Sequence, residues 1–103
     1  MATLLLPPPT RVVNLNREKY DVYIGRAGNG HDGYFGNPFK LESALLRDVV
    51  LDRYKTYFLE RIARDEEFRR RVLGLVGLRL GCFCKPLACH GDIIVAWINE
   101  HVR

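Results

Sequence analysis

The sequence predicts a single small α/β domain of Rossmann-like layout, with three or four strands packed by about three helices. Three observations favour this class. Short runs of apolar residues mark strands near the beginning and the end of the chain, a long central stretch repeats apolar residues every three to four positions, and a similar repeat closes the chain. A length of 103 residues, of which 48% are hydrophobic, suits one domain with a modest core and leaves a homodimer open.

The first ten residues are predicted to form a flexible lead-in, and residues 11–103 the domain. Pro7 to Pro9 stiffen the lead-in towards an extended polyproline conformation. Its apolar run is only three leucines long and no basic residue precedes it, so we expect neither a signal peptide nor a membrane span there. We therefore expect no membrane partner.

Two strands are predicted next. Arg11 to Leu15 is the first candidate, and Tyr20 to Ile24 alternates more clearly, with Tyr20, Val22 and Ile24 on one face. Because the connection between them is short and polar, the sequence favours a β-hairpin.

A loop and two helices follow. Gly25 to Phe39 contains five glycines, a proline and four aromatic or imidazole rings, a composition that predicts an ordered loop that either binds a ligand or covers a core edge. Ser43 is a suitable N-cap for a long helix, and Asp65 for a second helix. The apolar stripe predicted for the first helix comprises Leu46, Val49, Val50, Tyr54, Tyr57, Phe58 and Ile62.

The last two elements enclose all three cysteines. Leu78 to Cys84 is predicted to be a strand with Leu80, Cys82 and Cys84 on one face, and Asp92 to Val102 a helix. The stretch Cys82 to His90 therefore lies in a strand-to-helix connection, where α/β proteins commonly bind ligands.

Charge indicates which class of partner the protein binds, and cysteine content indicates its cellular compartment. The net charge is +4, and twelve of the sixteen basic residues are arginines, which form forked hydrogen bonds with phosphate and carboxylate. An anionic partner is one interpretation, and an Arg-rich solvated surface is the other. Three cysteines so close together do not fit a secreted disulfide scaffold, so we expect a reduced cytoplasmic compartment, that of the host if the protein is phage-encoded.

The Cys-His stretch allows three interpretations. Cys82, Cys84, Cys89 and His90 form a Cys3His set suited to tetrahedral zinc, although a Cys-x-Cys pair followed by an adjacent Cys-His is not the usual spacing. Alternatively, the start of the last helix binds an anion or activates the Cys89 thiol beside His90. In the third interpretation the cysteines are small buried hydrophobic residues and Cys89-His90 is a capping turn.

Four segments, in this order along the chain, resemble the DUF4326 family of small bacterial and phage proteins: Val12 to Leu15, Tyr20 to Arg26, Gly36 to Phe39 and Leu80 to Asp92. The family name records an unknown function, so the resemblance implies a fold and a residue set. A strand that carries cysteines is followed here by a Cys-His pair and then by a helix. This arrangement also resembles a segment of the DUF488 family, and the resemblance implies a Rossmann-like layout with a site at the strand ends.

These observations predict a pocket that binds, with or without processing, a nucleotide or a related phosphorylated small molecule. The predicted catalytic residues are Cys89, His90 and Asp92, and the predicted ligand-binding residues are Arg26, Asn37, Cys84 and Gly91. No cofactor is favoured, with zinc as the alternative. In that alternative the protein is a zinc-stabilised module that binds nucleic acid or protein without catalysis.

Overall fold

The computed structural model describes residues 8–39, 46–83 and 87–102. Their element order is β1 (Arg11–Asn14), β2 (Val22–Tyr23), α1 (Arg47–Arg64), α2 (Glu66–Leu73), β3 (Arg79–Cys82) and α3 (His90–His101). The predicted α/β class is thus confirmed, with three strands and three helices among the described residues. The predicted N-cap Ser43, the predicted site residue Cys84 and most of the lead-in lie outside the described residues.

The three strands form a parallel sheet in the order β1-β3-β2. Leu80 in the central strand β3 pairs with Val12 on one side and with Val22 on the other. The predicted hairpin is therefore wrong, because β1 and β2 do not pair with each other and both run parallel to β3.

The short connection between β1 and β2 passes β3 at close range, which explains how it can join two strands that are not neighbours. Leu15 N–H donates to the Cys82 carbonyl at 3.1 Å, and Asp21 N–H to the Arg79 carbonyl at 2.8 Å. Between these bonds the ring of Tyr20 lies over Gly81, where an added Cβ would be 2.7 Å from Tyr20 Cγ. A side chain at residue 81 would obstruct this crossing.

The core lies on the sheet face that carries Leu80 and Cys82, where residues of all three helices are buried with them. Helix α1 contributes a row spaced by four residues that comprises Val50, Tyr54, Phe58 and Ile62. The predicted stripe is wrong at Leu46 and Val49, which are 43% and 47% exposed. The reason is that Leu46 precedes the helix as its N-cap, and Val49 lies on the side of α1 that also carries the exposed Arg53 and Thr56.

Helix α2 begins where the sequence predicts. The Asp65 carboxylate accepts a hydrogen bond of 3.0 Å from the N–H of Phe68, and Glu66 and Glu67 occupy the first turn. No helix among the described residues has the length and apolar character that a bilayer crossing requires.

The loop from Gly25 to Phe39 is held on the helices by its aromatic residues. The Arg61 guanidinium carbon lies 4.0 Å from the centre of the Phe68 ring and 4.7 Å from that of Tyr34, and Arg61 also donates to the Tyr34 carbonyl at 3.2 Å. The Tyr54 hydroxyl donates to the Phe35 carbonyl at 3.1 Å. These contacts fix the middle of the loop against α1 and α2.

Candidate ligand pocket and Cys-His cluster

A cavity of about 380 Å³ opens at the carboxyl ends of β2 and β3, beside the start of α3. Ligands of parallel α/β sheets bind in this position, and the volume falls in the range of small-molecule sites. Its lining includes Tyr23, Arg26, Arg47, Phe83, Cys89 and His90. Three separate segments of the chain therefore converge on one space.

Cys82, Cys89 and His90 form a buried cluster on the wall of this cavity. The two Sγ atoms are 2.8 Å apart, and Cys89 Sγ is 3.6 Å from His90 Nδ1. Cys82 is the last residue of β3, and Cys89 precedes α3 directly. The strand end and the helix start thus bring two thiols and an imidazole together.

The orientation of His90 is set by Ile24, which directly follows β2. Its Nε2 atom is 2.6 Å from the Ile24 carbonyl oxygen, which can only accept a hydrogen bond, so Nε2 carries the proton. In the neutral ring the lone pair therefore resides on Nδ1, the atom that faces Cys89. The Tyr54 ring meets the imidazole edge-on, with centroids 5.1 Å apart, and holds it from the core side. His90 is fixed in a tautomer that can accept a thiol proton or bind a metal.

Helix α3 begins at His90, two residues earlier than predicted. Cys89 is its N-cap: the Gly91 N–H donates to Cys89 Sγ at 3.4 Å, and the Asp92 carboxylate accepts from the Cys89 N–H at 3.0 Å. This reciprocal arrangement is a capping box with cysteine in the place usually taken by serine or threonine. The carboxylate of Asp92, predicted to be catalytic, therefore organises the helix start.

Gly91, predicted to bind ligand, is buried against the sheet. A Cβ at this position would lie 2.6 Å from Ile24 Cδ1 and 2.8 Å from Val12 Cγ2. Its lack of a side chain lets the first turn of α3 approach the strands, which brings Cys89 and His90 to the cavity. Gly91 thus acts on the site through packing.

Arg26 and Asn37, the two predicted loop residues of the site, both line the cavity and are joined by a hydrogen bond. The Arg26 guanidinium donates to the carbonyl oxygens of Asn37 and Phe39. The Asn37 side-chain oxygen accepts from the Phe39 N–H at 2.9 Å. A guanidinium has five N–H donors, so Arg26 fastens the two ends of the loop and retains donors beyond these two bonds.

A family model described as "Domain of unknown function (DUF4326)" matches residues 11–100. The chain belongs to the DUF4326 family. It is also similar to the "Uncharacterized 12.4 kDa protein in nrdA-td intergenic region" of Enterobacteria phage T4, with 37% identity over 90 residues that cover 87% of this chain and 78% of the phage protein. No solved structure matches the chain. The predicted family is confirmed.

Three residues of the cavity in this DUF4326 protein escaped the sequence analysis. Arg47, the first residue of α1, donates to the Ala88 carbonyl at 3.0 Å and so spans from the helix to the segment before α3. Tyr23 is the last residue of β2 and Phe83 directly follows β3, both at the carboxyl edge of the sheet. An arginine beside an apolar stripe and an aromatic residue at a strand end have structural explanations in most proteins, so neither pattern signals a site.

The Cys-His cluster has the composition of a metal site. The Sγ atoms of Cys82 and Cys89 and a ring nitrogen of His90 all lie within 4.8 Å of one another. Metal-binding histidines commonly donate their second ring N–H to a carbonyl, as His90 does to Ile24. Zinc–sulfur bonds of about 2.3 Å at tetrahedral angles place two sulfurs about 3.8 Å apart, so the thiolates would have to separate on binding. The donor set therefore fits zinc after a small local adjustment.

Proposed function

We propose that the cavity binds a nucleotide or a related phosphorylated small molecule. The observation that carries the proposal is the convergence of two guanidinium groups, Arg26 and Arg47, on a cavity at the carboxyl edge of a parallel sheet. This is also the ligand position of Rossmann-like folds, and a Rossmann-like layout forms part of the proposal.

The electrostatics of the cavity suit a phosphate. Arg26 and Arg47 both line the cavity, and so do residues at the start of α3, which is the positive end of the helix dipole. Each charge-assisted hydrogen bond to a phosphate oxygen contributes about 1.5–3 kcal/mol. The net charge of +4 adds a long-range attraction for anions.

Processing of the bound ligand would use the thiol of Cys89 and the imidazole of His90. The thiol lies at the start of a helix, which favours the thiolate, and His90 Nδ1 at 3.6 Å can accept its proton. Asp92 would keep this pair in place by capping α3. In this proposal Cys89 is the nucleophile, His90 the base and Asp92 a positioning residue.

Inorganic phosphate and adenosine 5′-monophosphate (AMP) are expected to raise the melting temperature of the protein. At a ligand concentration of a hundred times Kd the stabilisation is about 2.7 kcal/mol. Arg47→Ala should remove most of this rise because it deletes a cation of the cavity. Arg26→Lys should keep part of the rise, since lysine retains the charge but not the fork. Differential scanning fluorimetry with increasing ligand measures both effects.

Arg53→Ala is the matched control, since Arg53 is an exposed arginine of α1 that does not line the cavity. It should melt and respond to phosphate as the wild type does. Arg26→Ala is less informative, because it also releases the carbonyls of Asn37 and Phe39 and should lower the melting temperature without ligand. A ligand response that survives Arg47→Ala unchanged would contradict the proposed site.

The Cys-His cluster favours a second candidate, a zinc-stabilised module that binds nucleic acid or protein without catalysis. Three buried donors on two elements are brought within 4.8 Å of one another, and a zinc ion there would tie the end of β3 to the start of α3. Such a link would stabilise a small domain by the free energy of metal binding. The arginine-rich surface would then serve the macromolecular partner.

Metal analysis separates the two candidates. The second candidate predicts one zinc per chain after purification under reducing conditions, lost in Cys82→Ser and in Cys89→Ser, together with a large drop in melting temperature on chelation. Cys84→Ser identifies the fourth ligand: zinc lost with this variant indicates a Cys3His site. Protein that carries no zinc and whose melting temperature is insensitive to chelator would exclude this candidate.

A further inference from the structure

Two aromatic rings line the cavity where β2 and β3 end, and a third ring stacks on one of them. Tyr23 and Phe83 both line the cavity, and their rings meet edge to face with centroids 6.4 Å apart and an interplanar angle of 74°. His31 stacks on Tyr23 with centroids 3.9 Å apart and an angle of 25°. Phe83 is 58% exposed, so much of an apolar ring beside the cavity remains in contact with water.

Tyr23 is held rigidly in this group. Its hydroxyl donates to the Arg26 carbonyl at 2.9 Å, and its ring lies against Gly25, where an added Cβ would be 2.3 Å from the hydroxyl oxygen. The stacked His31 ring covers it further. A ring that is fixed before binding loses little conformational entropy when a ligand packs against it.

We propose that the ligand of this cavity carries a nucleobase that stacks on Phe83 and contacts Tyr23, while its phosphate faces Arg26 and Arg47. This inference rests on the proposed function and narrows it from phosphorylated small molecules to nucleotides. The rings of Tyr23 and Phe83 line the same space as the two cations, so a ligand with a flat aromatic end and an anionic end complements both. Every base presents a π-face, so stacking on Phe83 gives affinity for nucleotides without strong selection among bases.

The test compares ligands with and without a base. Ribose 5-phosphate and the four nucleoside 5′-monophosphates share the sugar and the phosphate, and their Kd values can be measured by isothermal titration calorimetry. At least one nucleotide should bind the wild type about 5- to 150-fold tighter than ribose 5-phosphate, the factor expected for one stacked base. Phe83→Ala should bring nucleotide affinity down to that of ribose 5-phosphate and leave the sugar phosphate unaffected.

Two further variants isolate the contribution of the ring. Phe83→Leu keeps apolar bulk without a π-face and should lose most of the preference for nucleotides. Leu87→Ala is the matched control, because Leu87 is 56% exposed in the same strand-to-helix connection but does not line the cavity. It should bind nucleotides as the wild type does.

The outcomes distinguish this inference from the proposed function. If ribose 5-phosphate binds and no nucleotide binds more tightly, the base contact is excluded while the phosphate site stands. If the preference for nucleotides survives Phe83→Ala in folded protein, the base does not stack on Phe83. If neither the sugar phosphate nor any nucleotide binds, both proposals fail.

Discussion

Replacing Tyr54 with alanine is expected to lower the free energy of unfolding by about 3–5 kcal/mol. Tyr54 is fully buried in the middle of α1, its ring stacks near Phe58 with centroids 6.0 Å apart, and its edge-on contact holds His90. Truncation would leave a void among rings that cannot close it and would deprive the Phe35 carbonyl of its donor. Urea denaturation of the wild type and the variant measures the difference.

Two control substitutions distinguish the contribution of the Tyr54 ring to stability from that of its hydroxyl and from that of an exposed position on the same helix. Tyr54→Phe keeps the ring and should cost only the hydrogen bond, about 0.5–1.5 kcal/mol. Val49→Ala, on the same helix but 47% exposed, should change stability by less than about 0.5 kcal/mol. A large effect of Val49→Ala would restore the broader stripe predicted from sequence, and a small effect of Tyr54→Ala would contradict the burial of its ring in the core.

The Tyr54 hydroxyl also makes the stability of the wild type depend on pH. Burial raises the pKa of Tyr54 well above its ordinary value, so the folded protein keeps the hydroxyl proton where the unfolded chain loses it. The stabilising contribution is therefore complete below the unfolded pKa of about 10 and declines as the pH rises above it. Tyr54→Phe lacks this decline, so the difference between the two proteins should shrink in alkaline solution.

The sequence identified elements whose signals are local. Asp65 with the acidic residues after it marked the start of α2, and alternating apolar residues marked β1 and β2. The predicted pairing of β1 with β2 was wrong because both strands pair with β3, which lies far along the chain. The relevant signal, Gly81 beneath Tyr20, is recognisable only once the crossing is known.

The candidate site was predictable to the extent that one stretch contains it. Cys82, Cys89 and His90 are close in sequence, and their clustering in space follows from the return of the chain at the end of β3. The start of α3 was missed because cysteine is not a usual N-cap, although Asp92 three residues later completes a capping box. Arg47 could not be identified, since only the packing of α1 against the segment before α3 gives it a role.

Replacing Gly36 with alanine is expected to cost about 1–3 kcal/mol of stability and to weaken phosphate binding in the same variant. A Cβ at residue 36 would lie 2.5 Å from the Gly25 carbonyl oxygen and 3.1 Å from Arg26 Cα. Both neighbours are backbone atoms, which cannot move aside by a change of rotamer. The two ends of the loop would therefore separate, and with them the bonds of Arg26 to the carbonyls of Asn37 and Phe39.

Gly74→Ala provides the comparison for Gly36→Ala. Gly74 caps α2 in a right-handed helical conformation that alanine adopts readily, and the nearest neighbour of an added Cβ is 3.3 Å away. Its stability should change by less than about 1 kcal/mol and its phosphate response should equal that of the wild type. If Gly36→Ala retained both the stability and the phosphate response, the close approach of the loop ends would not be required. Loss of phosphate binding at nearly unchanged stability would instead show that Gly36 acts mainly by holding Arg26 at the cavity.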